Sequence, residues 1–313
     1  MNKVKKAERD YNPARSTNPS PINSQSSVLT DESSVISHQS SHFSPQSSSS
    51  WKRLTREQWG NNPCGAHVAQ GYEFGTREYF DAIEEYRYRD YAPWMKRVIG
   101  FDRYNGKRVL EVGCGTGTDL LQFARGGARV TGIDLTPRSI EIARRRFEVY
   151  GYSGEFAIGD AENLAFPDES FDAFYSFGVL HHTPDTERAI SEARRVLRRG
   201  GKAIVMIYHR ASLYYGGGLM LKRGILKGEL LKSTPAQIMS RYVEYTETEG
   251  RPLVKAYTRR EARRLFDGFS DCKISVNQLT REELGPAGRV LPESAFQWLA
   301  QNFGWNLIIT ATR

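Results

Sequence analysis

Cysteine is scarce in this chain: Cys64, Cys114 and Cys272 are the three among 313 residues, and no two form a C-x-x-C pair. An odd, scattered set argues against a disulfide framework and against a structural zinc site, so no metal is expected. Long apolar runs are missing as well. The longest, such as 203–207 and 307–309, fall far short of the roughly 20 residues that a membrane span requires. The first residues, MNKVKKAERDYNP, contain no apolar segment of the kind used for export, and Glu8, Asp10, Asp31 and Glu32 are unlike an acid-poor transit peptide. Together these absences predict a cytoplasmic protein. Nor does one charge dominate: Lys+Arg 44 against Asp+Glu 36 gives a net charge of +8 without a lysine-rich arm. Such a mixed surface argues against nucleic acid as the partner without deciding the matter.

What is present divides the chain into parts. A mean hydropathy of −0.56 is low for a folded domain. The polarity is concentrated at the start, where about 15 of the first 50 residues are serine, too polar to offset ordering entropy by burial. Residues 1–50 therefore read as a disordered tail, with folding beginning near Trp51. Residues 51–104 are rich in Trp, Tyr and Arg and read as an aromatic, helical cap. From 105 onward, short apolar runs alternate with amphipathic segments: strands near 108–112, 129–134, 155–158, 171–177 and 202–208, with helices near 119–124, 136–149 and 186–197. Thr136-Pro137 is a cap-and-first-turn pair, and Gly200-Gly201 reads as a helix stop. The alternation predicts an α/β fold with a parallel sheet and helices on both faces. It breaks at about 211–256, which reads as an inserted lid, and resumes with helices at 258–266 and 293–302 and strands at 273–279 and 306–310.

The first strand runs directly into Glu111-Val112-Gly113-Cys114-Gly115-Thr116-Gly117, and a helix follows. A glycine turn between strand and helix lets a ligand touch the backbone, while the helix N-terminus favours an anionic group. A dinucleotide fingerprint would need glycine at Thr118, where threonine stands. The tighter G-x-G-x-G spacing after Glu111 resembles motif I of the class I S-adenosylmethionine-dependent methyltransferases. Asp134 ends the second strand, where an acid can accept from ribose hydroxyls or simply cap a helix. Asp160 and Ala161 follow the third, and the segments 171–182 and 193–201 resemble later motifs of that family. The likeness covers about 105–210 and is nearest to the type 11 group, which includes ubiquinone/menaquinone methyltransferases.

The resemblance implies a Rossmann-like, seven-stranded, mostly parallel sheet in the order 3-2-1-4-5-7-6. It also implies an S-adenosyl-L-methionine site built from Glu111, Gly113, Cys114, Gly115, Gly117, Asp134, Leu135, Asp160, Ala161 and Phe177. His181 and His182, just past the fourth strand, are candidate proton acceptors, His181 first; the alternative is that they only pack the loop before Pro184. The expected acceptor is a small molecule such as a metabolite, lipid or quinone-like compound. An RNA or protein methyltransferase and a non-catalytic cofactor-binding scaffold remain as alternatives. In the lid, Leu221, Ile225, Leu226 and Leu230 would share one side of a helix with Arg223, Lys227 and Lys232 opposite, which could meet a membrane surface or simply pack on the domain. The oligomeric state is not legible.

Overall fold

The computed structural model of the chain describes residues 47–244 and 252–313. The expected tail lies outside them as far as residue 46. The fold starts slightly before Trp51, because the Ser47 hydroxyl accepts from the Ser50 amide and opens helix α1 (Ser48–Asn61). Helix α2 (Arg77–Glu85), a wide turn at Tyr86–Tyr91 and α3 (Met95–Ile99) complete the segment ahead of the sheet.

Strand β1 (Arg108–Val112), α4 (Thr118–Arg125), β2 (Arg129–Asp134), α5 (Pro137–Tyr150), β3 (Glu155–Ile158), β4 (Phe171–Phe177), α6 (Thr186–Val196) and β5 (Leu197–His209) follow in alternation. Thr136 accepts from the Ser139 amide with Pro137 in the first turn of α5, as the sequence predicts. Gly200-Gly201 behaves differently. Phe171 pairs with Leu197 and Ala173 with Lys202, so the glycines form a bulge inside a longer β5 rather than the stop expected before residue 202.

After β5 come a π-helix over Tyr214–Leu226, a single turn at Glu229–Leu231, α7 (Pro235–Tyr242), the two-residue β6 (Ala256–Tyr257) and α8 (Arg259–Leu265). Then follow β7 (Ser270–Asn277), α9 (Pro286–Val290), α10 (Glu293–Phe303) and β8 (Asn306–Thr312). The amphipathic helix expected to carry Leu221 through Leu230 is thus interrupted: it is wound as a π-helix, ends at Leu226, and is followed by Gly228, whose φ of +68° only glycine adopts readily. The sheet order is β3-β2-β1-β4-β5-β8-β7, with β6 added beside β5. All pairs are parallel except those of β8, which runs against both β5 and β7. Apart from the short β6, this is the expected order.

Because side chains alternate along a strand, Val109 and Leu110 enter different cores. Val109 joins Leu120, Phe123, Tyr175 and Met206 on one face, whereas Leu110 joins Val112, Phe174, Val205 and Leu307 on the other.

The N-terminal helices are fastened to the sheet by charge as well as by packing. Arg87, in the wide turn after α2, donates from Nε to Asp119 Oδ1 at 3.1 Å and from Nη2 to Oδ2 at 2.5 Å, at the start of α4. The Tyr88 and Tyr175 hydroxyls donate to the same carboxylate at 2.7 and 2.8 Å. Burial opposes ionisation of Asp119, but Arg87 and the two phenols outweigh it and hold the carboxyl below its usual range. Arg146 of α5, fully buried, donates to the carbonyls of Thr116 and Phe80 and so ties α5 to both the glycine turn and α2.

Removing one partner of a buried pair strands the other charge. Asp119→Ala should therefore cost about 3–5 kcal/mol in urea unfolding, and adding Arg87→Met should restore part of it. Two losses that simply add would show that the pair is not coupled.

Candidate functional site

The turn between β1 and α4 holds Gly113, Gly115 and Gly117 at φ of +77°, +50° and +71°. A Cβ on Gly113 would lie 2.2 Å from Val179 Cγ2, so no larger residue fits. A Cβ on Gly115 would meet nothing within 4 Å, because this residue faces an open cavity. Of the residues expected to form the site, Gly113, Gly115, Asp134, Leu135, Asp160, Ala161, Phe177 and His182 line that cavity. Glu111, Cys114 and Gly117 stand behind the lining. Gly117 backs onto Ala143, and Cys114 is buried beside Gly132. Glu111 is buried with Oε2 unpaired among the described residues; burial and then Asp119 hold its carboxyl well above the usual range.

Asp134 is already a strong acceptor. Its Oδ1 takes the Thr136 amide and hydroxyl, both at 2.9 Å, and its Oδ2 takes the Gly115 amide at 3.0 Å. A carboxylate offers about four lone-pair sites, so Oδ2 keeps roughly one for a ligand. Asp160 accepts the Glu162 amide on Oδ1 at 2.9 Å and Lys52 Nζ on Oδ2 at 2.7 Å. Lys52 also pairs with Glu162. It comes from α1, which closes the cavity with Lys52, Thr55 and Trp59. The sequence reading assigned no role to these three, although positions 52, 55 and 59 follow the i, i+3, i+7 rule for one helix face.

The far wall carries Trp59, Cys64, Phe177 and His182. Cys64 is open to the cavity yet surrounded by protein, and burial pushes its thiol pKa up. All three cysteines are free. The two histidines part company here. His182 lines the cavity, whereas His181 is wholly buried behind it, 3.9 Å from Tyr208 between ring centroids. Of the two, His181 was expected first, yet only His182 lines the cavity, because on consecutive residues the two side chains leave the chain in different directions. His182 Nδ1 lies 2.7 Å from the Leu253 carbonyl, which can only accept, so Nδ1 carries the proton. Nε2 lies 3.5 Å from Glu244 Oε1. Glu244 accepts from the Tyr208 hydroxyl at 2.7 Å; burial opposes its charge, but His182 and Tyr208 outweigh burial and hold its pKa low. Nothing in the sequence singled out Glu244, which follows α7 and lies 62 residues from His182 by their numbering. His181, His182 and Glu244 offer ligand atoms within 4.8 Å of one another.

Burial, then His182 and Lys255, hold the His181 pKa well below 6.5, so it folds neutral, with both ring nitrogens unpaired among the described residues. The unfolded chain binds a proton there below about pH 6.5 and the folded chain does not, so stability should fall as pH drops through that value. His181→Phe should flatten the melting temperature measured from about pH 7.5 to 5.5. An unchanged slope would mean that His181 titrates normally in the fold.

A family model described as a methyltransferase domain, type 11, matches residues 110–205, which run from β1 through most of β5. The chain is similar to the demethylmenaquinone methyltransferase of Tropheryma whipplei, with 41% identity over 139 residues, or 44% of this chain and 54% of that protein. It is also similar to the phthiotriol/phenolphthiotriol dimycocerosates methyltransferase of Mycobacterium leprae, with 43% identity over 99 residues covering 31% and 36%. The fatty-acid O-methyltransferase of Mycolicibacterium smegmatis matches at 45% over 98 residues, covering 31% and 35%. The match thus spans about half the length of the first relative and about a third of the other two. The sheet order and the glycine turn agree with the match of residues 110–205 to a methyltransferase domain.

Proposed function

We propose that the chain transfers a methyl group from S-adenosylmethionine to a small, largely apolar acceptor bearing an ionisable proton, with His182 as the base. One observation carries this reading: a single cavity runs from the glycine turn and the Asp134 and Asp160 carboxylates to a wall of Trp59, Phe177 and His182. The cavity suits the cofactor on its own terms. The Gly115 side is open, and both carboxylates keep lone pairs for hydroxyl or amino donors. When bound, the cofactor supplies an electrophilic methyl group on a sulfonium.

The chain's own residues would do the rest. Asp134 would hold ribose hydroxyls and Asp160 the adenine amino group, with the Ala161 amide nearby. Trp59 and Phe177 would exclude water and pack an apolar acceptor against the reacting centre, since holding reactants in line supplies much of a displacement rate. His182 would take the acceptor's proton, and Glu244 would stabilise the imidazolium that forms. The Leu253 carbonyl would keep the imidazole in the required tautomer. Three similar proteins are named for menaquinone precursors, dimycocerosates and fatty acids, and apolar acceptors of that kind are consistent with the aromatic wall.

Calorimetry tests the cofactor assignment: Asp134→Ala should weaken S-adenosylmethionine binding by roughly 1.5–3 kcal/mol, the value of a hydrogen bond to a charged group. Unchanged affinity would refute it. For the base, His182→Ala should lower kcat by about 10²–10⁴ while cofactor affinity stays within a few fold, and Glu244→Gln should show the same pattern to a smaller extent. The readout is transfer of labelled methyl to a lipid extract, with total RNA as a parallel acceptor. Label appearing chiefly in RNA would overturn the small-molecule reading.

A further inference from the structure

The lid presents an outer face that the proposed chemistry does not use. Leu219 is buried in the sheet core, and Tyr214 packs edge-on against Trp305 at 5.0 Å, so the π-helix is anchored from beneath. Its other side is bare. Leu221 is 50% exposed, Ile225 63%, Leu226 73% and Leu231 88%. Positions 221, 225 and 226 are four and five apart, the spacing that shares one face in a π-helix. Exposed leucines and isoleucines this close together need an explanation, whereas the same residues scattered singly would not.

The charge around them has one sign. Lys222, Lys227 and Lys232 are exposed and have no ion-pair partner among the described residues. Arg223 lies over the Tyr242 ring, 4.4 Å from its centroid. The one acid between 213 and 232, Glu229, is turned inward, accepting from Tyr242 at 2.6 Å and from Arg241 at 3.2 Å. The outer face is therefore apolar at its centre and cationic at its margins, with the neighbouring acid neutralised.

We infer that this face docks on an anionic lipid bilayer. A surface of apolar side chains flanked by lysines matches the layered chemistry of a bilayer, whose acyl region takes the leucines and whose anionic head groups take the ammonium groups. A second copy of the chain is a poor fit, because a two-fold contact through this patch would set lysines against lysines. A shaped protein partner is also a poor fit. The face is a protruding row of flexible aliphatic tips, without the aromatic or arginine anchors in pockets that concentrate binding energy at protein interfaces. The inference rests on the lid surface alone and needs no assumption about the methyl acceptor. If it holds, the surface that touches the bilayer is joined to the cavity wall by packed rings, from Tyr214 through Trp305 and Tyr208 to His182.

Sedimentation of the full chain with vesicles tests the inference. One set is phosphatidylcholine alone and the other contains added phosphatidylglycerol. Binding is expected to the mixed vesicles, weaker in high salt, and little to the neutral ones. Lys222→Glu/Lys227→Glu/Lys232→Glu should reduce the partition coefficient by at least roughly a hundredfold, from about fivefold per lysine even before charge reversal is counted. Leu226→Glu/Leu231→Glu should abolish the salt-resistant part. Both variants alter exposed side chains only, so their melting temperatures and cofactor binding should match the parent, which separates this outcome from failure of the proposed methyl transfer. No binding to anionic vesicles, or binding that neither variant changes, overturns the inference. So does a dimer in analytical ultracentrifugation that the leucine variant dissolves, because the face would then belong to a second copy.

Discussion

The buried pair between Arg87 and Asp119 is the constraint around which the cavity side of this molecule is organised. Asp119 stands in the first turn of α4, directly after the glycine turn, and receives two bonds from Arg87 and one each from Tyr88 and Tyr175. An ion pair with so little solvent gives uncertain net stability, because desolvation offsets much of the attraction. Its effect is geometric. Arg87 also lies over the Phe177 ring at 4.4 Å from its centroid, so one guanidinium sets the helices before the sheet, the helix after the glycine turn and an aromatic ring at the end of β4 in a single arrangement. Tyr175 reaches the same carboxylate from β4, which explains why a phenol sits at a fully buried strand position where a purely apolar residue would otherwise pack.

A second electrostatic contact closes the cavity from the other side. Lys52 reaches from α1 to Asp160 and Glu162, two acids of the loop after β3. These groups are partly open to solvent, so the pair adds little to stability. It does set which helix covers that end of the cavity, and the next two turns of that helix present Thr55 and Trp59 to the cavity. The N-terminal helix is thus part of the wall, even though it precedes the sheet by nearly fifty residues of sequence.

Much of this was legible in the chain and some was not, for physical reasons that differ by element. The alternation of short apolar runs with capped helices revealed β1 through β4 to within a residue or so, because these strands are short, well buried or flanked by clear turn chemistry. The C-terminal end of α6 and the start of β5 were misread because a glycine pair normally stops an element, whereas here it bulges within one. The segment after β5 resisted reading because its helix is π-wound, a period that an apolar pattern tuned to 3.6 residues misassigns. The shared place of the glycine turn, Asp134 and Asp160 in the cavity lining was legible because each stands at or just past the end of a strand at the same edge of the sheet. Glu244 was not, since only the return of the chain from α7 brings it beside His182.

That return has a consequence for how activity is divided between scaffold and insertion. The sheet supplies the imidazole: β4 ends at Phe177, and His182 follows within one short turn. The segment between β5 and β6 supplies both groups that fix its state, the Leu253 carbonyl at Nδ1 and the Glu244 carboxylate facing Nε2. An imidazole with neither neighbour would be free to exchange tautomers. Under the proposed chemistry, therefore, a change in the inserted segment could alter the rate of proton removal without touching the cofactor end. Acceptor choice and base strength would then be set in the same part of the chain, and the glycine turn and its carboxylates would remain as they are.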